Sequence, residues 1–327
     1  MSKNKRISSK DYICPTKEVD PENFLENDEI YKLLDTQNSF KFSQYFDVKL
    51  LDCVHCNACK TSEERCQLNK KFVEDDGNKI EGLAEMIDSI RNFGTPYGTD
   101  QMRIKIPEGI PKESKTLYYM GCLSTIRVPR FTEDSLTYLL NQKIDFNILE
   151  KEICCGYPLY VSGALEEFDV CRTKNVEMLK NYEKIICCCP ACFFVFKTHY
   201  PEEISDKTVY ISDYLKPAKA RKSGKIGIQH LCQLMNRGCP EVTEYIEDTL
   251  RQSGYEVQDI PHKCCGGGIG YMHRLELIDT IGMDRVKDFQ DCDYYTTYCV
   301  SCWWILYRFG KKLKMKRKIK TPFELLM

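Results

Sequence analysis

The sequence predicts an α/β protein made of two pseudo-symmetric halves preceded by a smaller, mainly helical domain. Three observations point there. Cys122, Cys154, Cys155, Cys189 and Cys192 recur as Cys232, Cys264, Cys265, Cys299 and Cys302, each shifted by 110 residues, and self-similarity at a fixed offset marks a repeated structural unit. Within each copy, short apolar runs alternate with stretches of helical periodicity, as in a sheet covered by helices. Ahead of the repeat, residues 1–100 carry one dense cysteine cluster and an amphipathic stretch. The expected domains are 1–100, 115–220 and 221–327, with residues 99–114 reading as a linker.

In the first domain, a helix is expected from Gly82 to Arg91, with Leu83, Met86, Ile87 and Ile90 on one face. The run NFGTPYG (92–98) ends it with glycine and proline. In the first copy a buried strand, Leu117 to Met120, leads to Cys122. The helix after it is expected to take Thr132 as N-cap, with Glu133 and Asp134 in the first turn and Leu136, Leu139 and Leu140 facing inward. The second copy matches it: KIGIQHLC (225–232) lies under KTLYYMGC (115–122), Leu250 under Leu140, and Leu325 under Leu215. Here Ile226 to Ile228 is the strand, Pro240 suits the first turn of the helix, and Ile246 and Leu250 point inward. Further apolar runs, Lys184 to Cys188 and Tyr294 to Tyr298, deliver the C-x-x-C pairs. Helices follow at Phe193 to Lys197 and Trp303 to Tyr307, so the thiols fall at strand ends and helix starts, where thiolate is favoured.

Composition narrows the function. Lysine and arginine total 47 against 48 acidic residues, which removes the bulk positive field that a nucleic-acid partner needs. The 20 cysteines would suggest disulfides in a secreted chain, but the start MSKNKRISSKDY lacks the apolar stretch of an export signal. The expected compartment is therefore reducing, the cytoplasm. No run approaches the ~20 apolar residues of a spanning helix, so any membrane attachment is expected through a separate partner protein. Many thiols in a reducing compartment point to iron–sulfur clusters or zinc.

Cys53, Cys56 and Cys59 form a C-x-x-C-x-x-C run, whose spacing wraps three irons of one [4Fe–4S] cube. Two candidates exist for the fourth ligand. Cys66 follows after six residues and lacks a following proline, whereas Cys14-Pro15 fits the remote cysteine of ferredoxin sequences and is preferred. A four-cysteine zinc knuckle is the competing reading, disfavoured because such sites come as two separated pairs. In each repeat, five cysteines exceed by one what a cube needs. The adjacent pairs Cys154-Cys155 and Cys264-Cys265 would diverge on an extended strand. A turn at Gly156, or at Gly266 to Gly268, can bring both thiols to metal. An irregular cluster is the expectation, and core packing or a redox disulfide the alternative.

The pattern Cys…Cys-Cys-Gly…Cys-x-x-Cys, present twice and including YYMGC, EICCGYPL, CPAC and CCGGG, resembles the cysteine-rich CCG domains of the B/D-type catalytic subunits of heterodisulfide reductases. The fused N-terminal ferredoxin-like domain is most similar to the D form of that subunit. The resemblance runs from about residue 50 to 327. It implies two noncubane [4Fe–4S] clusters, one on Cys122, Cys154, Cys155, Cys189 and Cys192 and one on Cys232, Cys264, Cys265, Cys299 and Cys302. These would reduce a small-molecule disulfide, in methanogenic archaea that of coenzyme M and coenzyme B, with electrons relayed through the N-terminal [4Fe–4S] cluster from a flavoprotein or another iron–sulfur subunit. Two departures limit the implication: one C-x-x-C-x-x-C run is missing, and Gln229-His230-Leu231-Cys232-Gln233 stands where relatives commonly read His-Asp-Pro-Cys-His. Similar domains also serve non-catalytic electron-transfer subunits of glycerol-3-phosphate, glycolate and lactate oxidation, and that role stays open.

Other residues read more plainly. Cys187 and Cys188 are expected as buried strand thiols, and Cys171, Cys239 and Cys292 as structural. His230 is expected as a core or surface histidine rather than a proton donor. For Arg127 and Arg130, an anion-binding role and a solvated loop are both open. The basic tail KKLKMKRKIK (311–320) is expected to be a terminal element with a solvated face. No glycine-rich dinucleotide fingerprint is present, which places any flavin or nicotinamide on a partner.

Overall fold

The computed structural model describes residues 14–19, 21, 24–35, 53–76, 82–237, 239, 241–268 and 275–327. The N-terminal part is helical: α1 (Pro15–Val19), α2 (Asn27–Asp35), α3 (Ser62–Asp76) and α4 (Leu83–Phe93). Helix α4 is bracketed by two glycines in the left-handed region, Gly82 and Gly94, and buries Leu83, Ile87 and Ile90. Residues 99–114 carry no helix or strand. They are held against the next domain by Arg103 N–H donating to the Thr125 carbonyl (2.8 Å) and Lys105 N–H donating to the Glu133 carboxylate (2.7 Å).

The first half is β1 (Thr116–Tyr119), α5 (Cys122–Ile126), α6 (Pro129–Asn141), α7 (Tyr157–Val161), α8 (Leu165–Leu179), β2 (Lys184–Cys187), α9 (Pro190–Thr198), α10 (Glu202–Ser205) and β3 (Thr208–Tyr210). The second is β4 (Lys225–Ile228), α11 (Cys232–Met235), α12 (Glu241–Gln252), β5 (Glu256–Val257), α13 (Leu275–Lys287), β6 (Tyr294–Thr296), α14 (Val300–Lys312), β7 (Ile319–Lys320) and α15 (Pro322–Leu326). All strand pairs are parallel, in the orders β1-β2-β3 and β5-β4-β6-β7. The extra strand β5 has a counterpart in the first half, where an isolated parallel bridge joins Leu117 to Asn147. Parallel strands are covered on both faces, which is why they read as continuous apolar runs. Leu117, Tyr118, Tyr119, Ile185 and Ile186 have no exposed surface.

Two details of the helices differ from expectation. Helix α6 starts at Pro129 with Val128 as its N-cap, so Thr132 lies inside the helix and its hydroxyl donates to the Ser124 carbonyl (3.0 Å). Proline's fixed φ and missing N–H place it in the first turn, three residues before the expected cap. The expected role of Pro240 falls outside the described residues; α12 does bury Ile246 and Leu250.

The halves pack through an aromatic seam, Phe131 against Phe323 (centroids 5.4 Å) and Trp303 (6.4 Å), reinforced by Thr321 Oγ1 donating to Asp134 (2.7 Å). The N-terminal helices seat on both. Asn69 Nδ2 donates to the Val161 carbonyl (2.6 Å) of the first half, and Arg237 of the second half donates to Glu63 (2.9 Å) and to the His55 carbonyl (3.0 Å). No helix among the described residues is long and apolar enough to cross a membrane.

Candidate metal centres

In both halves the cysteines follow the C-terminal ends of the parallel strands, where sites on such sheets form. Cys189 and Cys299 are the N-caps of α9 and α14. Cys192 and Cys302 therefore lie in the first turns, and Cys302 N–H donates to Cys299 Sγ (3.4 Å). The adjacent pairs are turned as expected: Gly156 (φ +86°) and Gly266 (φ +83°) adopt left-handed backbone. In the first half the turn is clamped by Asn175 Nδ2 (2.8 Å) and Cys171 Sγ (2.8 Å) on the Cys154 carbonyl, and by Tyr200 OH (3.0 Å) on the Cys155 carbonyl. In the second half Gly266 N–H and Gly267 N–H donate to Cys264 Sγ and Cys265 Sγ, each at 3.3 Å. Within the sets, Cys122 Sγ lies 3.9 Å from Cys154 Sγ, and Cys265 Sγ 3.2 Å from Cys302 Sγ.

All ten repeat cysteines line one cavity of about 740 Å³. Its remaining wall is largely apolar, including Leu83 and Met86 of α4, Leu123, Leu231, Tyr97 and Tyr157. Gln233 Nε2 donates to Tyr157 OH (2.7 Å), which ties the halves together in that wall. Neither Arg127 nor Arg130 reaches the cavity. Arg127 is exposed with its guanidinium over Tyr97 (5.1 Å), and Arg130 pairs with Glu324 (2.8 Å).

The N-terminal triad lies beside this cavity. Cys14, Cys53, Cys56 and Cys59 line a small pocket of their own, and Cys56 is in side-chain contact with Cys232 of the second half. Cys66 is not part of that pocket; it is buried, 3.5 Å from His55 Nδ1. Of the two candidates for the fourth ligand, Cys14 is the one that shares the pocket of the triad. Cys14→Ser is expected to abolish the N-terminal cluster's electron paramagnetic resonance signal, whereas Cys66→Ser retains it. The opposite pattern would transfer the role to Cys66.

The thiol sets suit clusters better than single ions. Five cysteines exceed the four ligands of a structural zinc site, and in both halves their sulfurs ring the cavity. Burial pushes the Cys14 thiol up to about 11 and the Cys53 thiol up to about 12, with Arg65 pulling the latter down. Such thiolates form when metal compensates their desolvation.

The remaining cysteines and histidines are accounted for by packing. Cys187 and Cys188 are wholly buried on and just after β2, and Cys292 packs under Gly227. His230 is buried with Nε2 3.3 Å from Glu247, and its ring is edge-on to His262. Three residues were not legible as site residues. Glu152 is buried, accepts from Met120 N–H (2.8 Å) and Gly121 N–H (2.7 Å), and thereby shapes the strand end before Cys122. Burial raises its carboxyl to about 7. Arg237 joins three parts of the chain, bonding Glu63 and the His55 carbonyl of the N-terminal part and lying over Phe194 of the first half (3.8 Å), and Arg65 lines the triad's pocket. A lone charged residue carries no periodic signal; only the offset of 110, which sets His262 opposite Glu152, marks one of them.

The family model for the cysteine-rich CCG domain matches twice, over residues 116–197 and 226–307. An uncharacterized iron–sulfur protein of Methanocaldococcus jannaschii is 21% identical over 88% of this chain and 62% of its own length. The B subunit of the fumarate reductase (CoM/CoB) of Methanothermobacter marburgensis is 21% identical over 58% of this chain and 41% of its own. The C subunit of the anaerobic glycerol-3-phosphate dehydrogenase of Escherichia coli K12 is 22% identical over 59% of this chain and 54% of its own. The chain thus spans less than two thirds of each of these relatives.

Proposed function

This chain belongs to the cysteine-rich CCG domain family, and on that premise we propose that it is an iron–sulfur oxidoreductase subunit that reduces a small disulfide. The observation that carries the reading is the single cavity onto which both five-thiol sets open. Cleaving R–S–S–R′ to two thiols takes two electrons and two protons, and each five-cysteine set would hold a noncubane [4Fe–4S] cluster able to supply one electron. The protein's share is placement. The CC-Gly turns aim four of the ten thiols inward, the helix starts at Cys189 and Cys299 aim four more, and Leu123, Leu231, Tyr97 and Tyr157 keep the space between them apolar. Electrons would enter through the set on Cys14, Cys53, Cys56 and Cys59, and the contact of Cys56 with Cys232 supports transfer to the second half before the first. The donor would be a flavoprotein or another iron–sulfur subunit.

The cavity wall also bears on the substrate. Among its described residues Glu85 is the one charged side chain, with no arginine or lysine. The sulfonate and phosphate of the coenzyme M–coenzyme B disulfide would find no cationic partner among these described residues, which favours a related, less acidic disulfide. The expected result for anaerobically purified, reduced protein is two thiols released per disulfide, faster with an uncharged disulfide than with the coenzyme M–coenzyme B compound. No thiol from any disulfide, at full iron loading, would replace this reading with the second one. In that second reading the chain only passes electrons between a dehydrogenase and its acceptor, as the name of the glycerol-3-phosphate dehydrogenase relative suggests.

A further inference from the structure

Arg65 is among the largest fully buried side chains of the protein, 2% exposed, on α3 directly after the cysteine triad. Its guanidinium stacks over Phe24 (5.2 Å), and one terminal nitrogen donates to the Leu25 carbonyl. The Nε atom is buried with no hydrogen-bond partner among the described residues. Among the described residues no carboxylate pairs with this side chain. The other deeply buried arginine is treated differently: Arg285, 1% exposed, is paired with Asp288 at 2.7 Å and bonded to Gln229 and the Pro261 carbonyl. Leaving a buried charge without its partner is strongly destabilising, so Arg65 calls for an anion that the described side chains around it do not provide.

The pocket that Arg65 lines is the one formed by Cys14, Cys53, Cys56 and Cys59. A [4Fe–4S] cube held by four thiolates carries a net charge of about −2 when oxidised and about −3 when reduced, and its potential follows net charge and hydrogen bonds to sulfur. We propose that Arg65 is the buried counter-ion of the N-terminal cluster, with its free Nε–H reserved for the sulfur set, and that it holds that cluster's reduction potential up. The attraction grows by one unit of charge on reduction, so the reduced state gains more than the oxidised one. The consequence is a relay whose first centre is poised to take an electron from a donor outside. The inference rests on a cluster occupying this pocket, as proposed above.

The experiment is a redox titration of the whole protein, purified with its clusters and followed by electron paramagnetic resonance, with iron content measured alongside. Arg65→Met is expected to keep its iron and to be at least tenfold harder to reduce at a fixed potential, a negative shift of at least 59 mV for one electron. Arg65→Lys should recover much of the shift, because it restores charge but not the fork. Should Arg65→Met fail to load, Arg65→Gln is titrated in its place, with the same shift expected. A loaded neutral variant titrating at the wild-type potential would overturn the counter-ion role. A wild-type protein with no N-terminal cluster signal would instead refute the cluster assignment, leaving the two failures distinguishable.

Discussion

Cys232→Ser is expected to strip about four of the roughly twelve irons that three four-iron sites would hold and to stop disulfide reduction. The loss should exceed the 10–100-fold that changes around a metal's ligands typically cost, because the ligand itself is removed. The position is special among the ten repeat thiols. It is the first residue of α11, it touches Cys264 within its own set, and it touches Cys56 of the N-terminal triad. With Cys122→Ser the iron loss should be the same, but the second half should still be reduced by the donor. With Cys232→Ser the donor's electron should stop at the N-terminal cluster. Stopped-flow spectroscopy with iron analysis separates the two. Full iron content in Cys232→Ser would refute the ligand assignment, and reduction of the first half at the wild-type rate would refute the order of transfer.

Gly163→Ala should be strongly destabilising although it lies away from the cysteines. Gly163 has φ +82°, and an added Cβ would lie 2.3 Å from the Lys70 amide nitrogen and 2.4 Å from the Asn69 carbonyl carbon. Both are backbone atoms of α3, so no rotamer change can relieve the overlap. The left-handed conformation costs a non-glycine residue about 1–2 kcal/mol and overpacking adds about 1–3, so a destabilisation of about 2–5 kcal/mol is expected. Gly98→Ala isolates the two terms: its φ is +67°, but an added Cβ meets nothing within 4 Å, so only the backbone strain remains. Thermal melts of the loaded proteins check this. Equal melting of the two variants would show that α3 is not seated on Gly163. Since Asn69 Nδ2 bonds the Val161 carbonyl beside it, Gly163→Ala should also shift the N-terminal helices relative to the large cavity.

Much of the architecture is legible in the chain's order of residues. The strand at Leu117 and its partner at Ile226 stand out as apolar runs, since strands of a doubly covered parallel sheet have no polar face. Helix α4 is placed by its stripe and its flanking glycines, and the CC-Gly turns follow from the backbone freedom of Gly156 and Gly266. The start of α6 departs from expectation because Thr132 is a good cap by type, while the local determinant is Pro129. A threonine hydroxyl facing the Ser124 carbonyl inside the helix serves as packing polarity rather than as a cap.

The amino-acid order alone established the duplication, the five-thiol unit, the turn chemistry at each CC pair and the likeness to CCG domains, because all of these are written in covalent spacing and local backbone preference. The folded chain alone decided that both thiol sets open into one cavity, that Cys14 lines the pocket of Cys53, Cys56 and Cys59 while Cys66 lies outside it, and that Arg65 is sealed beside them with no carboxylate partner among the described residues. Those facts depend on how three separately patterned segments pack. Packing brings together residues far apart in the chain, such as Val54 and Cys302 in the wall of the large cavity, by burial and shape, for which one sequence carries no period.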